Sequence, residues 1–202
     1  TIFQLVYDSM YELNLDGSFR LTLAESATVS DDGTVWTFKI RDGIKWHDGE
    51  ALTAEDVSWT YNLYKDTPEY PYLNGYYTTY FESITSNENN EVILTLTEAI
   101  PNIESQLVFL YILPKHIWEN ENKLEYENTA MIGSGPFKMA EYSQNEFVRL
   151  TSNKEHFETP PKVDEVVFQT FENQDALVQG IKTGQLDLIT EMPNTSVESL
   201  KT

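Results

Sequence analysis

The 202 residues read as a mixed α/β protein, α+β in its arrangement. Three observations lead there. Short runs alternate apolar and polar residues with the period of half-buried strands, at Val35 to Ile40, Glu91 to Thr97 and Phe147 to Thr151. Helix start signals stand between and after them, at Thr53 and again near Asp175. Strand, helix and strand then follow closely at Val163–Thr170, Asp175–Thr183 and Leu186–Ile189. That order predicts a right-handed βαβ crossover with parallel strands.

Taken in order, Ile2, Leu5, Val6 and Met10 suit one face of a helix. Asp16-Gly17 is a turn, and Phe19 to Leu23 is extended. Asp31-Asp32-Gly33 has the chemistry of a tight turn. The strand after it places Trp36, Phe38 and Ile40 on one face and Val35, Thr37 and Lys39 on the other. Arg41-Asp42-Gly43 turns the chain, Ile44-Lys45-Trp46 extends it, and Asp48-Gly49 closes that run. Thr53 is a helix cap, and Glu55 and Asp56 suit the positive end of the helix dipole. Val57, Tyr61 and Tyr64 follow at helical spacing, with Lys65 near the end. The Trp36/Phe38/Ile40 face is expected to bury against this helix.

Thr67 to Tyr77 contains two prolines and a glycine and is a tyrosine-rich loop. Its rings either cover the edge of the core or rim a ligand cleft. Asn87 to Asn90 is a polar turn, and the next strand turns Val92, Leu94 and Leu96 to one side. Pro101 opens a short helix ending near Leu110, and Pro114 opens another through Trp118. Lys123 to Ala130 is loop. Phe137–Tyr142 and Phe147–Thr151 form a hairpin over Ser143–Glu146. In the last helix Leu177, Val178 and Ile181 face inward, and Gly184 stops it.

Chemistry-bearing residues are sparse. The three histidines, His47, His116 and His156, do not stand at metal-ligand spacing, and the chain has no cysteine, so no metal or organic cofactor is expected. Gly133-Ser134-Gly135 invites a nucleophile-elbow reading, but Pro136 blocks the helix that motif requires. Carboxylate pairs such as Asp31/Asp32 and Glu55/Asp56 sit at turns and helix starts, where acids have local reasons to be. A net charge of −20 argues against nucleic acid and anionic membrane surfaces as partners.

One stretch carries more. Ser30, Asp32, Gly33, Thr37, Phe38, Arg41, Gly43, Lys45, Trp46, His47, Asp48, Gly49, Thr53, Ala54, Asp56 and Val57 hold an unbroken spacing. It resembles the signature of the extracellular solute-binding proteins of ABC importers, in the class that binds oligopeptides, dipeptides and nickel. Ala27 stands where that family usually has Trp, and Trp36 where it has Tyr. The Gly133-Ser134-Gly135-Pro136-Phe137 run is similar to the family's G-T-G-P-F/Y. Asn153, Phe157 and Pro160 fit its N-x-x-Y-W/F-x-x-x-P, with His156 in place of Tyr. Gly184 and Asp187 fit its G-x-x-D.

The resemblance implies a periplasmic-binding-protein-like fold with an extra N-terminal subdomain. Residues 8–114 would form that small lobe, and 1–7 with 115–202 part of the main α/β lobe. Members are more than twice this length, so the chain is expected to be a truncated fragment lacking the C-terminal lobe and its contacts. The implied function is capture of peptide or another small solute and delivery to an ABC permease, by a monomer that is not an enzyme. It would work outside the cell, lipid-anchored or periplasmic. Tyr72, in a Pro-Tyr pair, and Phe109, where one peptide binder has histidine, are the implied ligand contacts. The alternatives are an extracellular hydrolase using a carboxylate pair, or a peptide sensor or chaperone on the same fold.

Overall fold

Residues 2–67, 75–123 and 125–190 are described by the computed structural model. Helix α1, Ile2–Val6, is shorter than the Ile2-to-Met10 apolar spacing predicts. Met10 is buried beyond it, just before the small antiparallel pair β1, Tyr11–Leu13, and β2, Phe19–Leu21. The chain then builds a four-stranded antiparallel sheet from β3, Ala24–Val29, β4, Val35–Ile40, β5, Phe81–Ser86, and β6, Glu91–Leu96. Their order is β3-β4-β6-β5. The register sets Phe38 beside Ala27 and Val92, and Trp36 beside Val29 and Leu94. Opposed residues share a face, so Phe38, Ile40, Val92, Leu94 and Leu96 make one buried surface.

Helix α2, Ala54–Asp66, lies on the β5–β6 half of that surface. Tyr61 packs on Phe81 with ring centroids 5.6 Å apart. Of the β4 face expected to bury against α2, Phe38 and Ile40 are buried and Trp36 is half-buried, and the near cover of Phe38 is Tyr11, whose ring stands edge-on to it at 6.2 Å. At the start of α2, Thr53 and Asp56 form a reciprocal capping box. The Asp56 carboxylate accepts from the Thr53 amide (2.9 Å) and also from the Lys115 amide (3.1 Å). One side chain thus caps α2 and also holds the first amide of helix α4, Lys115–Trp118. Helix α3, Glu104–Leu107, precedes it.

The second sheet is β7, Phe137–Ser143, β8, Phe147–Ser152, and β9, Glu165–Gln169, antiparallel throughout. The predicted hairpin is β7–β8, turning through Asn145 at φ 62°. Helix α5, Gln174–Lys182, follows with Asn173 as its cap and Gly184 as its stop. The predicted parallel crossover is not formed. Leu186 to Ile189 is not a strand, and Leu188 is 75% exposed. A strand exists through its partner, and among the described residues none lies parallel beside β9. The amides of Gln185 and Leu186 instead turn back to the Gly180 carbonyl (2.9 and 3.1 Å), as helix ends do.

The two sheets are joined through backbone. The Gly135 amide donates to the Val6 carbonyl (2.8 Å). A Cβ on Gly133 would lie 1.9 Å from the Val6 oxygen, so only glycine permits this approach. His47 completes the joint. Its amide donates to the Gly133 carbonyl (2.8 Å), and its ring bonds Gly135 O and Gly133 N.

Candidate functional site

A cleft of about 510 Å³ opens where the β1–β2 hairpin, the end of α3 and the 156–159 loop meet. That is within the range of small-molecule sites. The sharp bend after α1 places Tyr7 and Asp8 in it, and the Asp8 carbonyl is held by the Ile112 amide (2.9 Å). Strand β1 adds Tyr11 and Glu12, β2 adds Arg20, and the turn leaving α3 adds Phe109 and Tyr111. His156 and Glu158 close the far side.

The rings are largely apolar walls. Burial pushes the Tyr7 phenol up, and burial with the nearby Glu104 carboxylate pushes Tyr11 up to about 12. Both therefore stay neutral across the physiological range. Phe109 is 43% exposed and stacks on Tyr77 at 5.0 Å. Among the charges, Arg20 makes a bidentate pair with Glu158 (2.6 and 2.9 Å) and also bonds Glu12. The guanidinium holds the Glu158 carboxyl below the usual range.

Behind them Asp8 Oδ2 accepts from Ser134 Oγ (2.8 Å). The His156 side chain is 5% exposed, and its Nε2 lies 3.6 Å from Asp8, beyond hydrogen-bond reach. Neither ring nitrogen of His156 has a hydrogen-bond partner. Buried polar atoms are ordinarily satisfied, so this wall has unmet hydrogen-bonding capacity facing the cleft.

Two other concavities are comparable in size. One, about 660 Å³, lies over the start of α2, where Asn90 and Thr53 already serve the helix amides. The other, about 690 Å³, is an apolar hollow between α1 and the second sheet. The first has no ring in its lining, and the second sets Phe3, Tyr142 and Phe168 beside Glu127, Asn128 and Gln144 without the Arg, His and paired carboxylates of the hairpin cleft.

The remaining sequence candidates resolve locally. Ser134 is fully buried and followed by a strand, so it is no nucleophile elbow. Asp32 closes its own turn by accepting from Ser30 Oγ (2.5 Å) and the Thr34 amide (3.1 Å). His116 bonds Asp48 (2.8 Å). Among the described residues no three His, Cys, Asp or Glu side chains gather as a metal site. Of the two implied ligand contacts, Phe109 lines the cleft and Tyr72 lies outside the described residues. Sequence reasoning passed over Asp8, Tyr11, Glu12, Arg20 and Glu158, which lie far apart in the chain. The one available signal was His156 at a position where the family has Tyr.

A ligand-sized cleft thus lies beside two packed sheets. The chain belongs to the bacterial extracellular solute-binding proteins, family 5, whose middle region matches residues 18–202. The oligopeptide-binding protein AppA of Bacillus subtilis is 32% identical over 191 residues, covering 91% of this chain and 35% of that one. The AppA structure in complex with a nonapeptide superposes with a TM-score of 0.90 at 28% identity, covering 100% of this chain and 41% of that one. The ABC transporter substrate-binding protein CtaP of Listeria monocytogenes gives a TM-score of 0.80 at 34% identity, covering 92% and 38%. The chain spans about a third of the length of the curated relatives it matches.

Proposed function

We propose that this chain supplies one wall of a two-lobed protein that captures peptides outside the membrane and delivers them to an ABC permease. The observation that carries the reading is the aromatic-lined cleft, with His156 at its back making no hydrogen bond, in a fold that overlays AppA holding a nonapeptide. Residues 8–114 are the small lobe, which fits the four-stranded sheet and α2 falling inside that span. Residues 1–7 and 115–202 belong to the main lobe. The opposing wall comes from a second lobe, and closure about a hinge encloses the ligand.

Phe109 and Tyr72 contact the ligand on this side. No covalent step occurs, and the intact protein works as a monomer at the outer face of the membrane, lipid-anchored or periplasmic. Among the described residues no helix is long and apolar enough to cross a bilayer.

Calorimetry of the intact protein with a mixed pool of short peptides tests this. The expected result is micromolar binding that Phe109→Ala or Tyr72→Ala weakens by about 1 kcal/mol or more without unfolding the protein. No binding by any peptide, or release of cleaved peptide, removes the reading.

A further inference from the structure

We propose that the cleft selects ligands bearing a positive charge, an ammonium or guanidinium group set against its acidic wall. This rests on the cleft being the ligand site. Four ionised groups line it: the carboxylates of Asp8, Glu12 and Glu158 and the guanidinium of Arg20. Arg20 is shared between Glu12 and Glu158, so one cation serves two anions. Asp8 accepts a hydrogen bond from the neutral Ser134 hydroxyl, and the nearest group that can carry positive charge is His156, 3.6 Å away.

Outside the lining, Glu104 bears on Tyr11 and adds negative charge. Arg41 bears on Glu158, its Nε turned to the Thr22 carbonyl (2.7 Å), and His156 in the lining bears on it too, so three carboxylates of the lining face Arg20 and at most one further cation there. The wall keeps a negative excess.

A second, independent observation marks it as a ligand surface rather than a solvated acidic patch. His156, nine-tenths buried and lining the same cleft, has both ring nitrogens without a hydrogen-bond partner. Tyr7, Tyr11 and Phe109 complete the lining, and aromatic rings attract cations. An anionic group entering here would have to displace Glu158 from Arg20 and approach Glu12 and Asp8 as a like charge.

The test is calorimetry of the intact protein at about pH 8 and low salt with three probes: trilysine, trialanine and triglutamate. The expected order of affinity is that order, with trilysine at least about tenfold tighter than triglutamate. Glu12→Gln, at a side chain 55% exposed and therefore safe for folding, narrows the ratio about threefold or more. Arg20→Gln widens it, and raising the salt to about 300 mM narrows it. Equal or tighter binding of triglutamate overturns the inference while leaving the peptide-binding reading intact, as does a ratio that neither variant moves. Failure of all three probes and of the mixed peptide pool overturns both.

Discussion

His47 holds one tautomer because its neighbours allow no other. A carbonyl only accepts, so Nε2 carries the hydrogen toward Gly135 O (2.9 Å). The Gly133 amide only donates, so Nδ1 keeps its lone pair (3.2 Å). Protonating Nδ1 would break the second bond and place a charge in a buried joint. The ring pKa is accordingly lowered from 6.5, chiefly by desolvation. The unfolded chain then binds more protons than the folded one just below pH 6.5. His47 is therefore neutral-favouring, and its contribution is fully present above that pH and lost as the pH falls. Urea unfolding at about pH 7.5 and about pH 5.5 is expected to show lower stability at the acid value. The difference is expected to shrink in His47→Gln, and an unchanged difference would show the joint indifferent to the ring's charge. Glu158 acts in a separate window, since its lowered carboxyl contributes above its ordinary 4.5 and fails below it.

At the scale of elements, β4 and α2 hold the first sheet together by different means. Strand β4 works by burial: Phe38 is fully buried between Tyr11 and Trp36. Phe38→Ala leaves a cavity that the paired strands cannot collapse into, and a loss of about 3 to 5 kcal/mol by denaturant titration is expected. A loss near zero would mean the ring is not a core residue. Helix α2 works by polar satisfaction at its start. Burial pushes the Asp56 carboxyl up, and its bonds to the Thr53 and Lys115 amides offset this only in part. Removing it leaves both amides without their acceptor, so Asp56→Ala is expected to cost about 2 kcal/mol. Thr53→Ala, which loses the hydroxyl's half of the capping box and its long bonds to Glu55 N (3.3 Å) and Asp56 Oδ2 (3.4 Å), is expected to cost about 1 kcal/mol. If the two costs are equal, Asp56 is only a helix cap and not an anchor for the segment at Lys115.

For the whole molecule, binding strength is a matter of enclosure. Under the two-lobed reading, this chain alone offers Phe109 and its neighbours as a single wall. A lone aromatic contact contributes about 1 to 2 kcal/mol, against an association cost of about 4 kcal/mol or more. The isolated chain is expected to bind peptides no more tightly than about 1 mM, and the intact protein far more tightly. Micromolar binding by the isolated chain in a calorimeter would place the main contacts on this wall.

Much of this was legible in the chain because it is local. The turn at Asp32-Gly33, the alternation through Phe38, the cap at Thr53 and the β7–β8 hairpin each follow from residues within a few positions of one another. Even so, β1, β3 and β5 escaped, since short polar strands such as Phe81–Ser86 are specified by their partners and not by their own pattern. The Leu186–Ile189 run failed for the converse reason: a strand-like pattern without a neighbour does not become a strand. The family was readable from unbroken spacing. The cleft was not, because Asp8, Arg20, Phe109 and His156 converge only when two sheets are docked through Gly133, Gly135 and His47. Local sequence determined the elements with a pattern of their own and the kind of protein. Tertiary packing decided which side chains share a wall, since that depends on contacts between residues 86 to 138 positions apart.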